Sequence, residues 1–204
     1  MKNYILLGIV LLALFGCASQ QPVDNSQPSA NNTVQPASGN TVVVLETSKG
    51  NIEIELYADK APVTVNNFLM YVNEHFYDGT VFHRVMDGFM IQGGGFTPEG
   101  VERYTRDPIP LESQNGLHNG IGYVAMARTE DPNSATSQFF INVADNSMLD
   151  YSGPDNPGYA VFGKVISGMD VVNTIKSVPV STRGYYENWP VEDVLIVHAY
   201  VKSQ

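Results

Sequence analysis

The sequence is poor in cysteine, in positive charge and in long apolar runs, and each shortage removes a class of protein. Its one cysteine is Cys17. A single thiol rules out an intramolecular disulfide and any multi-cysteine zinc site, and leaves a fold no use for that sulfur. Lysine and arginine number 11 against 21 aspartates and glutamates, a formal net charge of −10. Such a surface repels phosphates, so neither nucleic acid nor an anionic membrane surface is an expected electrostatic partner. The N-terminal apolar run Ile5–Phe15 is eleven residues long, whereas crossing a bilayer core of ~30 Å takes about 20. No internal repeat is apparent. The four histidines, His75, His83, His118 and His198, have no second histidine or cysteine at metal-ligand spacing, so no metal is expected.

What is present suits one domain with appendages in 204 residues. Lys2, the short apolar centre and the small residue Gly16 before Cys17 form a secretory signal pattern. Leu14-Phe15-Gly16-Cys17 resembles the bacterial lipobox, which implies cleavage after Gly16 and lipid on Cys17. Several acyl chains give stable anchoring where one is marginal. Ala18, directly after the cysteine, is not aspartate, and by resemblance to enterobacterial sorting this favours the outer membrane, facing the periplasm. Ala18–Thr41 is mostly Gln, Asn, Ser, Pro and Thr, with Asp24 its one charge. Nothing there supports a core, so it reads as a disordered tether with an r.m.s. span of roughly 27 Å. The expected organisation is therefore a signal peptide over 1–16, a lipid-anchored tether over 17–41 and a folded domain over 42–204.

From Val42 the pattern changes. Val42–Glu46 and Asn51–Leu56 flank Thr47-Ser48-Lys49-Gly50 as a hairpin, and Ile52, Ile54 and Leu56 alternate with glutamates, so one face is buried. Pro62 opens a helix through about His75, with Val65, Phe68, Leu69 and Val72 at helical spacing. Gly168–Ile175 is a second, short helix. Tyr123–Ala127, Gln138–Val143, Ala160–Val165 and Val194–Val201 read as further strands. Many short strands, two helices and turns rich in Gly, Pro and Asn predict a mainly β fold, a closed antiparallel barrel.

The stretch Phe82–Gly95, FHRVMDGFMIQGGG, organises the rest. Two apolar runs, Val81–Met86 and Phe89–Gln92, flank Asp87-Gly88, a tight-turn signal because such a turn needs positive φ. Alternation predicts Phe82, Arg84 and Met86 on one face, and Met90 and Gln92 on one face of the next strand. One cation and one amide thus stand among Phe and Met side chains. Gly93-Gly94-Gly95 lacks the third glycine of G-x-G-x-x-G, since Pro98 stands there, and reads as close backbone packing rather than a phosphate loop. The Asp/Asn-rich stretch Asp145–Asn156 lacks calcium-loop spacing and reads as solvated. In Gln138-Phe139-Phe140 the two phenylalanines face opposite ways, so one is free to line an outside groove.

FHRVMDGFMIQGG closely resembles the signature of the cyclophilin family of peptidyl-prolyl cis/trans isomerases. Ser137–Val143, SQFFINV, and Gly122–Arg128, GYVAMAR, match two further family blocks, and the resemblance runs from about Val42 to about Val201. It implies an eight-stranded barrel with a helix across each end, an isomerase without cofactor or metal, and proline-containing polypeptide segments as partners. It also implies a role for each matching residue. Arg84 donates a hydrogen bond to the prolyl nitrogen, while Phe89, Met90, Phe140 and Leu149 wall the proline pocket. Gln92 bonds a substrate carbonyl with Gln138 nearby, and the Ala127-Arg128 backbone is the edge along which the peptide lies. His83 sits at the rim. Met148 falls where many eukaryotic members have tryptophan, and Tyr159 where they have histidine. A monomer is expected. The alternative reading is a cyclophilin-like binding module or chaperone without needed turnover; a small-ligand barrel would need a roomy interior, which eight short strands rich in Phe, Ile and Val do not leave.

Overall fold

The computed structural model describes residues 40–203. The expected signal segment and the tether up to residue 39, Cys17 included, lie outside the described residues. Among the described residues no helix is long and apolar enough to cross a membrane.

The chain opens with β1 (Val42–Thr47) and β2 (Gly50–Leu56), followed by helix α1 (Pro62–Asn73). Then come β3 (Thr80–Met86), β4 (Met90–Phe96), β5 (Tyr123–Met126) and β6 (Phe139–Asn142). After β7 (Val161–Ser167) and helix α2 (Met169–Lys176), β8 (Val180–Arg183), β9 (Tyr186–Pro190) and β10 (Leu195–Val201) complete the order. Eight strands close into an antiparallel barrel in the order β1-β10-β3-β4-β6-β5-β7-β2, as the sequence predicts. The β8–β9 hairpin forms a separate two-stranded sheet, which the sequence reading did not anticipate.

The barrel interior is filled by side chains. Leu45, Ile52, Ile54 and Leu56 point in from β1 and β2, fully buried. Beneath α1, Phe68 packs on Phe162 at 5.1 Å and on Phe139 at 5.5 Å, and Tyr77 meets Phe139 edge-on at 5.5 Å. Each such side chain contributes on the order of 1.5–3 kcal/mol through burial, so the interior is a packed core.

Helix α1 begins at Pro62, whose missing N–H costs nothing in a first turn. Ala61 has no side chain with which to cap it. Glu112 does so from a distant loop, accepting hydrogen bonds from the Val63 and Thr64 N–H groups at 3.1 and 2.8 Å and from the Thr64 hydroxyl at 2.7 Å. Its negative charge also opposes the positive end of the helix dipole.

Two expectations about the central stretch need correction. The turn between β3 and β4 holds three residues, because Met86 pairs with Met90. Gly88 takes φ 76 there, and Phe89 N–H donates to the Met86 carbonyl at 3.1 Å. Nor do Phe82 and Arg84 share a face. Phe82 pairs with Gly93 and Arg84 with Gln92, so β3 carries one extra residue between them. That bulge leaves Phe82 and Val85 inside the barrel and turns both His83 and Arg84 outward.

Candidate active site

The register of the sheet explains how distant residues meet. Arg84 on β3 is paired with Gln92 on β4, Gln92 with Phe140 on β6, Phe140 with Ala125 on β5, and Ala125 with Val161 on β7. Directly paired residues share a face with Cβ atoms about 5 Å apart, so these five form one row across the outside of the barrel. The inside of the same strands carries Phe82, Ile91, Phe139 and Met126. Met90, Ala125, Phe140 and Val161 form a small apolar cluster on the outer face, with Met86, Phe89, Leu149 and Tyr159 packed against it.

Over that row lies a cavity of about 180 Å³. Phe89, Met90, Phe140 and Leu149 supply apolar lining, Arg84 and Gln92 supply donors at one side, and Ala127, Arg128 and Tyr159 line the other. Nine of the twelve site residues expected in the domain are therefore brought together. Among the described residues, no hydrogen bond or ion pair engages the Arg84 guanidinium, which leaves its donors free. Gln92 Nε2 donates to Gln138 Oε1 at 2.9 Å, and Gln138 Nε2 to Glu102 Oε1 at 3.2 Å. A primary amide carries two N–H groups, so Gln92 keeps one for a ligand carbonyl. A Cβ on Gly95 would stand 2.6 Å from the Gln138 side chain, so the glycine run makes room for this amide pair, as close packing predicts.

Second-layer contacts fix the walls. Asn146 is buried although it lies in the loop read as solvated. Its Nδ2 donates to the Phe89 carbonyl at 2.8 Å and to Asn142 Oδ1 at 2.7 Å, and Asn142 reaches the Tyr123 carbonyl at 3.1 Å. In the same loop Asp150 accepts from Asn119 N–H and Nδ2 at 2.7 and 2.9 Å. This Asn ladder tethers the backbone of Phe89 to β6, which polar composition alone does not reveal. Tyr159 N–H donates to the Leu149 carbonyl at 2.9 Å, and its ring meets Phe140 edge-on at 5.6 Å. The Arg128 guanidinium lies 4.5 Å over the Tyr159 ring and donates to the Gly158 carbonyl.

Three expected residues do not line the cavity. Gln138 joins through Gln92 rather than lining the cavity. Met148 lies on a single 3-10 turn, Ser147–Leu149, 65% exposed and outside the lining. His83 is buried on the far side of Arg84, 4.6 Å from Phe96 and 5.9 Å from Trp189 between ring centres. Burial first, and then the Arg84 charge, depress its pKa from 6.5 to about 4. Beyond it opens a second cavity of about 460 Å³, walled by Tyr185, Tyr186 and Glu187 of the β8–β9 hairpin. Arg183 pins that hairpin, donating to the Pro98 carbonyl at 2.8 Å and pairing with Asp193 at 2.9 Å.

Comparison with known proteins agrees with this geometry. The sequence profile described as cyclophilin type peptidyl-prolyl cis-trans isomerase/CLD matches residues 42–201. A peptidyl-prolyl cis-trans isomerase of Acinetobacter baylyi is 56% identical over 167 residues, 82% of this chain and 88% of its own. Peptidyl-prolyl cis-trans isomerase B of Escherichia coli is 52% identical over 157 residues, 76% of this chain and 96% of its own. Among solved structures, a Cryptosporidium parvum cyclophilin type peptidyl-prolyl cis-trans isomerase, crystallised in the presence of the dipeptide Ala-Pro, aligns with a TM-score of 0.69 at 28% identity. That match covers 80% of this chain and 99% of the other. By barrel, profile and relatives alike, this chain belongs to the cyclophilin family and is a peptidyl-prolyl cis/trans isomerase.

Proposed function

We propose that the cavity over the Arg84–Val161 row is where the prolyl bond turns, with Arg84 donating a hydrogen bond to the prolyl nitrogen. Rotation breaks no bond; it needs relief of amide resonance against a barrier of about 20 kcal/mol. As the amide twists, its nitrogen becomes pyramidal and basic, so a charged donor aimed at it binds the twisted state better than the planar one. The observation that carries the reading is the guanidinium itself, without a partner among the described residues and beside an apolar pocket. A pure binder of proline segments has no need of such a donor. Phe89, Met90, Phe140 and Leu149 grip the proline ring, Gln92 holds a neighbouring carbonyl, and the Ala127-Arg128 backbone receives the extended chain. One hydrogen bond does not supply the ~7 kcal/mol that a 10⁵-fold acceleration requires. The rest comes from holding the ring while the segment on one side moves.

The test is prolyl isomerisation of a short X-Pro peptide by the purified chain and by Arg84→Ala. Turnover falls at least about tenfold while the melting temperature hardly moves, as for a group acting in the transition state. An unstable variant whose folded fraction keeps full activity would make Arg84 structural and defeat the reading.

The substrates proposed are exported or envelope proteins, met from a lipid anchor on Cys17 at the outer membrane facing the periplasm. This rests on Leu14–Cys17, the weakly charged stretch that follows and the lone cysteine. Mass spectrometry of the native protein decides it: a mature chain beginning at acylated Cys17 is expected, and an unmodified terminus elsewhere overturns the anchor.

A further inference from the structure

His75 and Asp78, three residues apart, meet the distant His198 at the end of the barrel where α1 stops. His75 follows the helix as its first residue beyond the cap, at φ 56, and its N–H donates to the Val72 carbonyl at 3.1 Å. Glycine is the usual occupant of such a left-handed position; here it carries an imidazole that lies beside Asp78, with His75 Nδ1 3.3 Å from Asp78 Oδ2. His198, on β10, reaches the same oxygen with its Nδ1 at 2.8 Å. The two imidazoles stack at 5.4 Å, and Tyr200 stacks with His198 at 5.3 Å. The three ligand atoms lie within 4.8 Å of one another.

We propose that His75, Asp78 and His198 bind a divalent transition-metal ion of the zinc, cobalt or nickel type. Imidazole nitrogen and carboxylate oxygen suit these ions. Ligand atoms about 2.0–2.1 Å from a shared ion stand roughly 2.9–3.4 Å from each other at octahedral or tetrahedral angles. The 3.3 and 2.8 Å separations fall at or within a tenth of an ångström of that range. A modest turn of the His75 ring, whose side chain is 65% exposed, brings its lone pair toward the common point. The carboxylate is already oriented, because Asp78 Oδ1 accepts the Ala199 N–H at 3.0 Å, the kind of outer contact that metal-binding carboxylates use. Water completes the coordination, since all three side chains are partly open to solvent.

The ion would staple the loop after α1 to the last strand. Asp78 stands in the turn before β3, and none of the three ligands lines the cavity over the Arg84 row, so prolyl turnover is expected to be independent of the metal.

The experiment uses the full chain without a polyhistidine tag, stripped with chelator and titrated calorimetrically with Zn²⁺, with Co²⁺ absorption as a second readout. One ion per chain with micromolar affinity is expected. His75→Ala, His198→Ala and Asp78→Asn each weaken it at least about tenfold, the size of effect that even outer-shell partners have. His75→Ala keeps the fold because its side chain is largely exposed, and Asp78→Asn keeps an oxygen for Ala199. Zn²⁺ raises the melting temperature of the parent and not of His75→Ala. Absence of saturable binding up to millimolar Zn²⁺, or binding undiminished by His75→Ala and His198→Ala, overturns the site.

Discussion

The two faces of β3, β4, β5 and β6 are built from the same strands and do opposite things. Inside, Phe82, Ile91, Phe139 and Met126 belong to the buried core, where Phe139 meets Phe82 and Phe68 of α1 edge-on. Outside, Arg84, Gln92 and Phe140 border the cavity, and Arg84 and Gln92 keep unspent donors. Phe139 and Phe140 are neighbours in sequence, yet one packs inside the barrel and the other lines the outer cavity. One extra residue in β3 decides on which side Arg84 falls. A barrel can therefore hold a rigid interior and a reactive exterior without any separate scaffold.

The sharpest break of this comparison is Phe139→Ala against Phe140→Ala. The inner substitution leaves a cavity in a packed core and lowers stability by about 3–5 kcal/mol, read by denaturant unfolding. The outer one costs distinctly less stability but raises KM for proline peptides. Equal losses of stability would mean that the outer row is core as well.

His83 offers a pH lever at the seam between the faces. Its folded pKa of about 4 lies below the ordinary 6.5, a gap worth roughly 3 kcal/mol. Between those values the unfolded chain takes up a proton that the folded chain refuses. Its contribution is therefore complete above pH 6.5 and is lost as pH falls toward 4. Unfolding free energies at pH 7 and pH 5 should differ accordingly, and His83→Phe should flatten the slope; an unchanged slope assigns the loss to other groups.

Glu112→Ala probes the inner side from a distance. Losing the borrowed cap of α1 should cost about 1–2 kcal/mol, seen in the melting temperature, while turnover per folded molecule stays the same. The mildest change, Arg84→Lys, keeps the charge and loses the planar fork. Forfeiting one aimed hydrogen bond, about 1 kcal/mol, lowers kcat/KM roughly fivefold without a stability change. A loss as deep as that of Arg84→Ala would make guanidinium geometry, rather than charge, the whole of its contribution.

Much of this was legible in the sequence because it depends on local rules. Alternation assigns Phe139 and Phe140 to opposite faces, Pro62 marks the start of α1, and the apolar spacing of Val65, Phe68 and Val72 gives its buried side. The motif string leads to the residues of the cavity. What stayed hidden depends on registry or on distant partners. A bulge changes the face of every residue beyond it, so strict alternation misplaces Phe82 relative to Arg84. The turn at Asp87-Gly88 is longer by Phe89. Asn146 looks like a solvated loop residue until Phe89 and Asn142 surround it. The β8–β9 hairpin rests on Trp189 and Arg183, whose partners Phe96, Pro98 and Asp193 are not signalled by spacing. His75 and His198 are more than a hundred residues apart, beyond any ligand-spacing rule.

The closing seam of the barrel has a consequence for how the molecule comes into being. Val43 pairs with Val201, and Lys202 N–H donates to the Val42 carbonyl at 2.8 Å, so the first strand is completed by the last one. A chain emerging from its N-terminus can pair β1 with β2 early, by a local hairpin. The other edge of β1 then waits through about 150 residues of synthesis, at ~5–20 residues per second, with its backbone groups facing solvent. This catalyst of other chains' slow steps is thus itself an open sheet until β10 has been added. Premature termination anywhere before β10 should leave an exposed edge strand and a product prone to aggregate rather than a smaller active domain.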